Sequence, residues 1–420
     1  MKLKFGLIIF LCILNFGFSQ KLSKDDFFKL VEKNSINLVK NKAYFNSLLE
    51  DQKSMNAWDS PYVEAESGFK KNQIGRQEVE TTALFMVRPK LPWVQTLLSK
   101  TLKLQTIQYS KSYELYRNIA FIGAKNLYLT YYISKEKLHM FEQREANFLS
   151  QLQIAESKWK AGSMSKKDYI SFKKSFYDAK LLRKQEQTKL LEYQRMLYQI
   201  LGLKEIVETD VNFDNDFSDV LKDNRDIVVE NLNIAYINIT MERAKEMLKN
   251  SLYTEILDLQ AKNYQTNAKI ANRDRFKELE LGGGVLQAES SIGATIRVSI
   301  PLPITTKNTH MKRKYLELHS GAIRENEITK NNLFIAADSY IDQLENKRQY
   351  IDLQRESIAT KKDLVEMGRI AYESHKINLF EYLSYQTSYM DSLIDLANTT
   401  LEYIGLQAML EETLGVMLGE

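Results

Sequence analysis

The placement of proline constrains this chain more than any other feature. The sequence has 420 residues but only five prolines, at Pro61, Pro89, Pro92, Pro301 and Pro303. A proline inside a helix costs roughly 3 kcal/mol. The two tracts without proline, residues 93–300 and 304–420, can therefore form very long helices.

Residues 93–160 are the clearest example of a long helical tract. Gly123 is their only glycine, and 68 residues (160 − 93 + 1) would extend about 100 Å as one helix. After Gly162 the apolar residues recur mostly every three or four positions, at Phe172, Phe176, Ala179, Leu182, Leu190, Tyr193, Leu197 and Ile200. Glu186 interrupts this narrow stripe, and the opposite face is rich in Lys, Glu and Gln. The pattern is typical of helices that pack side by side with water on one face.

Two segments alternate with period two instead. Apolar and polar residues take turns along Ile292, Gly293, Ala294, Thr295, Ile296, Arg297, Val298, Ser299 and Ile300. This alternation predicts a strand with one apolar and one polar face. Residues 278–285 can form its partner strand, and residues 62–69 and 81–87 repeat the plan. The sequence therefore predicts two β-hairpins, at about 62–88 and about 278–300.

The two hairpins belong to an internal duplication. Residues 159–202 and 372–415 align without a gap at a constant offset of 213 (372 − 159). Nine pairs are identical, at Tyr169/Tyr382, Ser171/Ser384, Ser175/Ser388, Asp178/Asp391, Gln194/Gln407, Met196/Met409, Leu197/Leu410, Leu201/Leu414 and Gly202/Gly415. We expect a first repeat over residues 20–202, a connector over 203–226 and a second repeat over 227–420.

The N-terminus predicts export. Lys2 and Lys4 precede an apolar run from Phe5 to Phe16 that is too short to span a bilayer, so residues 1–19 are interpreted as a signal peptide. The only cysteine, Cys12, lies inside it, so the mature chain would have no disulfide and no thiolate chemistry. The chain has 58 basic and 54 acidic residues, so it lacks the strong positive charge that would favour nucleic acid as a partner.

Four amphipathic strands per chain cannot close a barrel, but three chains would supply twelve, an even number in the range known for membrane barrels. In that hypothesis the apolar residues from Ile292 to Ile300 face lipid, and Arg297 and its polar neighbours face water. The predicted fold is therefore mainly α-helical with a small β part. Long helices form a coiled-coil tunnel, and four strands per chain contribute to a trimeric, 12-stranded transmembrane barrel.

The ordered set of features resembles the TolC family of outer-membrane efflux proteins along essentially the whole mature chain. Trp159, Gly162 and Asp168 match the family's helix–turn–helix tip, and Tyr372 and Glu381 match it in the second repeat. Leu-Gly ends each return helix, and Ile300-Pro-Leu-Pro303 resembles the strand exit of the metal-efflux branch in particular. The resemblance implies a homotrimer in the outer membrane of a Gram-negative bacterium, with its helices in the periplasm. Its partners would be outer-membrane lipid, a periplasmic adaptor and an inner-membrane pump.

The resemblance also implies roles for tip residues. Glu381 and Ser384 match positions that line the pore constriction, where the family usually has two acids. Asp168 and Tyr372 match a contact that holds the tip closed, while a basic residue of a second closing contact is replaced by Ile377. The adaptor would dock at the tips, on residues Ala161, Gly162, Ser163, His375 and Lys376. Because His375 stands where a second glycine is usual, the turn geometry of that tip does not follow from the resemblance.

The leading interpretation is an exit duct of a tripartite efflux or secretion system, and the alternative is a periplasmic coiled-coil adaptor or scaffold. An enzyme is not expected, because no nucleophile, base and orienting group are recognisable at a catalytic spacing. No cofactor is expected, and the four histidines show no metal-ligand spacing. The sequence does not name the cargo, which could be metal ions, drugs or polypeptides.

Overall fold

The computed structural model describes residues 20–71, 75, 77–202, 227–234, 236–273, 279–288, 291–300 and 305–418. The predicted signal peptide (residues 1–19) and the predicted connector (203–226) lie outside the described residues and stay predictions. The two prolines at 301 and 303 also lie outside them, so the resemblance of this segment to a strand exit stays a prediction. None of the described helices has a stretch that is long and apolar enough to cross a membrane.

Helices dominate the described chain. Their bounds are α1 Lys24–Asn34, α2 Ile36–Asn56, α3 Pro92–Lys160, α4 Lys166–Leu201, α5 Met241–Lys249, α6 Leu252–Arg273, α7 Lys307–Glu373 and α8 Leu379–Leu414. The strands are β1 Gln20–Leu22, β2 Tyr62–Lys71, β3 Gln77–Val87, β4 Ile227–Val229, β5 Glu280–Ala288 and β6 Ser291–Ser299. A hairpin, a helix of 69 or 67 residues and a return helix of 36 residues therefore occur twice.

The chain divides into two compact units. The first contains the described parts of Met1–Val39, Arg117–Met241 and Ala336–Glu420. Its core gathers apolar side chains of α1, α3, α4, α8 and β4, at Phe27, Phe28, Val31, Tyr128, Leu197, Leu201, Val229 and Ile404. A two-stranded parallel sheet of β1 and β4 borders this core, where the Val229 amide donates to the Tyr128 hydroxyl over 3.0 Å.

Within this unit the long helices pack in a row. Lys137 of α3 forms a buried ion pair with Glu186 of α4 at 3.0 Å, which explains why an acid interrupts the apolar stripe of α4. On its other side α3 contacts α8, where the buried Lys125 and Glu411 are 2.5 Å apart. Lys361 of α7 in turn donates to the Ser392 hydroxyl of α8. The order of neighbours is therefore α4, α3, α8, α7.

The second unit contains Lys40–Tyr116 and the described parts of Glu242–Ile335. Its four-stranded antiparallel sheet has the order β2-β3-β5-β6, so β3 and β5 join the two hairpins while β2 and β6 are the edges. At the start of β5, Glu280 accepts hydrogen bonds from Arg88 (2.7 Å) and the Tyr62 hydroxyl (3.1 Å). This cluster ties both hairpins together where the strands meet the helices.

The sheet has two different faces. Large apolar residues are exposed on one face, among them Val63, Phe85, Val285, Ile296 and Val298. The other face carries Arg297, which bonds to Glu64 and, over 3.1 Å, to Glu66. Leu84 and Met86 are buried on this face, opposite Gly284 and Gly282 in the register. A Cβ atom at Gly282 would lie 2.1 Å from Met86 Sδ, so a larger residue there would displace the methionine side chain.

Candidate functional site at the helical tips

The first tip is the turn between α3 and α4. The backbone of Gly162 has φ of +71°, a left-handed conformation that favours glycine. This lets the Ser163 amide donate to the Lys158 carbonyl over 2.9 Å, while the Ser163 hydroxyl donates to the same oxygen over 3.0 Å. The end of α3 is therefore closed by its own backbone and by one serine.

Asp168 lies in the first turn of α4 and serves the helix locally. The Ser165 hydroxyl oxygen accepts from the Asp168 amide (3.1 Å), and the hydroxyl donates to Asp168 Oδ2 (2.7 Å). The two side chains thus fix the start of α4, where a carboxylate also interacts favourably with the helix dipole.

The second tip repeats the first one 213 residues later. His375 has φ of +59° and takes the place of Gly162 (162 + 213). The Lys376 amide donates to the Ala371 carbonyl over 2.8 Å, which matches the bond from Ser163 to Lys158. Asn378 caps α8, since its Oδ1 accepts from the Glu381 amide over 3.0 Å. The turn is therefore the same although its glycine is a histidine.

Aromatic rings brace both tips. Trp159 stacks on Tyr169 with centroids 4.8 Å apart, and Tyr372 stacks on Tyr382 at 5.8 Å, the equivalent pair. Phe380 connects the two tips, because its ring stacks on Phe172 at 4.7 Å and lies 4.6 Å from the Lys158 ammonium. Stacked pairs contribute about 0.5–1.5 kcal/mol beyond the burial of their area, so the tips are preorganised within one chain.

Glu381 is exposed, and its position is held by Tyr385. The Tyr385 hydroxyl donates to Glu381 Oε1 over 2.9 Å, and this bond is the main reason why the pKa of Tyr385 is raised. Gly368 of α7 makes room for the tyrosine, since a Cβ atom there would lie 2.7 Å from its ring. Neither Tyr385 nor Gly368 was predicted from the sequence. The spacing of four between Glu381 and Tyr385 was the available signal.

The other predicted site residues lie at the two turns. Ser384 is exposed one residue before Tyr385. The predicted docking residues of both turns are all exposed, at Ala161, Gly162, Ser163, His375 and Lys376. Asp168 accepts a hydrogen bond from the Ser165 hydroxyl, and the ring of Tyr372 stacks on that of Tyr382. Within the described part of this single chain, no hydrogen bond joins Asp168 to Tyr372. The constriction, the closing contact and the docking surface remain predictions.

Among the described residues, no group of three or more His, Cys, Asp or Glu side chains is arranged to hold a metal ion. The second tip instead carries charged side chains whose positions are fixed by hydrogen bonds and ion pairs. Glu381 carries a carboxylate at the second turn. Near the end of α7, Arg369 is clamped between Glu366 and Glu373, with each contact at 2.6 Å.

Neither a protein-family model nor a curated protein matches the sequence. Solved structures do match. The CmeC outer membrane channel of Campylobacter jejuni has 13% identity, covers 93% of this chain and 85% of its own, and superposes with a TM-score of 0.72. VceC, an outer membrane protein of Vibrio cholerae, has 11% identity, coverages of 94% and 96%, and a TM-score of 0.66.

The open state of the MtrE outer membrane channel of Neisseria gonorrhoeae also matches. It has 11% identity, covers 93% of this chain and 88% of its own, and gives a TM-score of 0.68. Identities this low establish the fold alone. The predicted fold, mainly helical with four hairpin strands per chain, is thereby confirmed.

Proposed function

We propose that this chain, whose fold is that of the TolC-like outer-membrane channels, is the outer-membrane exit duct of an export system. Three copies would join their hairpins in the membrane and their helices in the periplasm. An adaptor and an inner-membrane pump would deliver small molecules or ions and supply the energy, so the chain itself would catalyse no reaction.

The observation that carries the proposal is the apolar face of the four-stranded sheet. Phe69, Ile292 and Ile296 are 81%, 75% and 84% exposed, although burying such side chains would each contribute about 1.5–3 kcal/mol. A large exposed apolar surface on a sheet indicates contact with lipid or protein. The opposite face carries Glu64, Glu66 and Arg297, which suit a water-filled lumen.

The open edges of the sheet support the same proposal. In the described chain β2 and β6 each have a neighbour on one side only, at opposite ends of the order β2-β3-β5-β6. Backbone groups in lipid need hydrogen-bond partners, so edges of this kind must pair with further strands. A second copy offers β2 to the free side of β6, and three copies would close the ring.

Solubility and mass test the proposal. The full-length protein should sediment with the outer-membrane fraction, require detergent for extraction and have the mass of three chains by light scattering in detergent. A water-soluble monomer would contradict the proposal and would favour the alternative of a periplasmic adaptor or scaffold.

A further inference from the structure

One group of ion pairs joins the two edge strands of the four-stranded sheet. Arg297 of β6 bonds to Glu64 and, over 3.1 Å, to Glu66, and both acids lie on β2. In the order β2-β3-β5-β6 these two edges are separated by β3 and β5. The Arg297 side chain therefore reaches across the width of the sheet. We call Arg297, Glu64 and Glu66 the strap.

The strap shows that the polar face of the sheet is concave. Neighbouring strands lie about 4.8 Å apart, so the three steps from β2 to β6 would separate the edges by roughly 14 Å in a flat sheet. Because side chains stand roughly perpendicular to a sheet, Arg297 and Glu64 could not meet across a flat one. Gly284 of β5 permits a close approach of the strands here, since an added Cβ atom would overlap the Ala83 carbonyl oxygen of β3.

Two apolar side chains are buried on the polar face between the two edges. Leu84 and Met86 of β3 are only 2% and 0% exposed. Met86 is opposite Gly282, which is itself opposite Arg297, and Leu84 is opposite Glu64. Residues that are opposite each other in neighbouring strands lie on the same face. The strap therefore crosses the part of the concave face where Leu84 and Met86 are buried.

The charged groups of the strap are still open to solvent. The side chains of Arg297 and Glu64 are 36% and 37% exposed, and that of Glu66 is 70% exposed. Two carboxylates meet one guanidinium, so the strap keeps a formal charge of −1 (1 − 2). Because it crosses a concave face as a chord, this charge lies nearer to the axis of curvature than the strands do.

We propose that the strap is a second constriction of the exit duct, separate from the helical tips, and that it determines the preference of the lumen for cations or anions. The inference rests on the proposed function, in which three copies close a ring with this face inward. Three straps would then cross the lumen at one level and narrow it. Charged side chains at a narrow point of a water-filled pore determine which ions pass.

Arg297 is the residue that limits the cation preference of the strap. Its planar guanidinium offers several donors in a fixed fork, so it can hold Glu64 and Glu66 together and neutralise one of their two charges. Without Arg297 both carboxylates would face the lumen with no cation between them, and the chord would be lost. Arg297 therefore restricts the flow of ions and also lowers the preference for cations.

Reversal potentials of single channels under a salt gradient test the inference. Arg297→Gln should raise the cation-to-anion permeability ratio at least about twofold and should also raise the conductance. Glu64→Gln combined with Glu66→Gln should lower the ratio at least about twofold, although it disrupts the same contacts. The two changes have opposite signs because the variants remove opposite charges. Contacts that only stabilised the sheet would shift the ratio in neither variant.

Two control variants separate charge from structure. Arg297→Lys keeps the positive charge without the fork, so the permeability ratio should stay close to that of the wild type. Lys71→Gln removes an exposed lysine of β2 that lies seven residues after Glu64 and hence on the opposite face. It should change neither the ratio nor the conductance.

A cysteine variant tests the narrowness of the lumen while the strap stays complete. Thr295→Cys, combined with Cys12→Ser, places a thiol two residues before Arg297 on the same face. A thiol reagent that carries a trimethylammonium group should reduce the cation current at least about twofold, because a bulky positive charge would then lie at a constriction. Ile296→Cys in the same background is the matched control on the opposite face, where the reagent should have no effect.

The outcomes separate this inference from the proposed function. If the wild type forms channels but Arg297→Gln and the double glutamine variant leave the ratio unchanged, or shift it in the same direction, the inference is wrong and the duct remains. If Arg297→Gln forms no channels, the double glutamine variant and Thr295→Cys decide, and an unchanged ratio or current in either would overturn the inference. A wild-type protein that forms no channels would overturn both proposals.

Discussion

At the scale of residues, the turn of the second tip places a histidine in a backbone conformation that favours glycine. His375 adopts φ of +59° where the first tip has Gly162 at +71°. For a residue with a Cβ atom this conformation costs roughly 1–2 kcal/mol. The bond from the Lys376 amide to the Ala371 carbonyl and the stack of Tyr372 on Tyr382 offset that cost.

Two glycines with different backbone conformations should respond in opposite ways to substitution by alanine. Gly162→Ala should lower the free energy of unfolding by about 1 kcal/mol, because alanine is strained at positive φ. Gly123→Ala is the matched control, since Gly123 lies inside α3 with nothing within 4 Å of an added Cβ atom. It should raise the free energy of unfolding by about 0.5–1 kcal/mol. Thermal unfolding followed by circular dichroism in detergent measures both, and equal signs would contradict this account.

The sequence predicted which residues would form the tips, but it did not predict the contacts that these residues make. The offset of 213 placed Asp168 and Glu381 in equivalent turns, and both are in the first turn of a helix. The bond from Tyr385 to Glu381 depends on a rotamer and on the space above Gly368. Neither property leaves a periodic pattern in the sequence.

At the scale of elements, the contact between α3 and α4 depends on a buried charge pair. The side chains of Lys137 and Glu186 are only 8% and 5% exposed, and their charged atoms are 3.0 Å apart. Losing one partner would leave the other charge buried and uncompensated, which costs far more than the pair contributes.

Glu186→Ala should therefore destabilise the protein by about 3–5 kcal/mol. Glu156→Ala removes the partner of Lys160 in an exposed ion pair on α3 and should cost less than about 1 kcal/mol. Denaturant unfolding of the two variants in the same detergent makes the comparison. Equal losses would show that Lys137 and Glu186 are not buried as described.

The long elements were predictable from sequence, and the short ones were not. The absence of proline and the period of three to four residues indicated α3, α4, α7 and α8, and alternation indicated the hairpins. The sheet of β1 and β4 was missed, because each strand has three residues and they pair across about two hundred positions. A strand this short carries no alternation, and its pairing is set by the core around Phe27 and Tyr128.

At the scale of the whole molecule, the fold followed from combining the repeat with the strand count. Four amphipathic strands with two free edges form an incomplete sheet in the described part of one chain. This feature supports the proposed ring of identical copies. The cargo could not be predicted, since under the proposed function its selection would depend mainly on a separate pump.

Single-channel conductance in planar bilayers tests the central claim most directly. The detergent-purified wild type is compared with Glu381→Ala, and with Glu325→Ala as an exposed carboxylate far from the tip on α7. Three Glu381 carboxylates around a narrow opening should favour cations and hinder passage. The account predicts cation-selective channels whose conductance rises, or whose cation preference is lost, in Glu381→Ala but not in Glu325→Ala. A wild-type protein that forms no channels would contradict it.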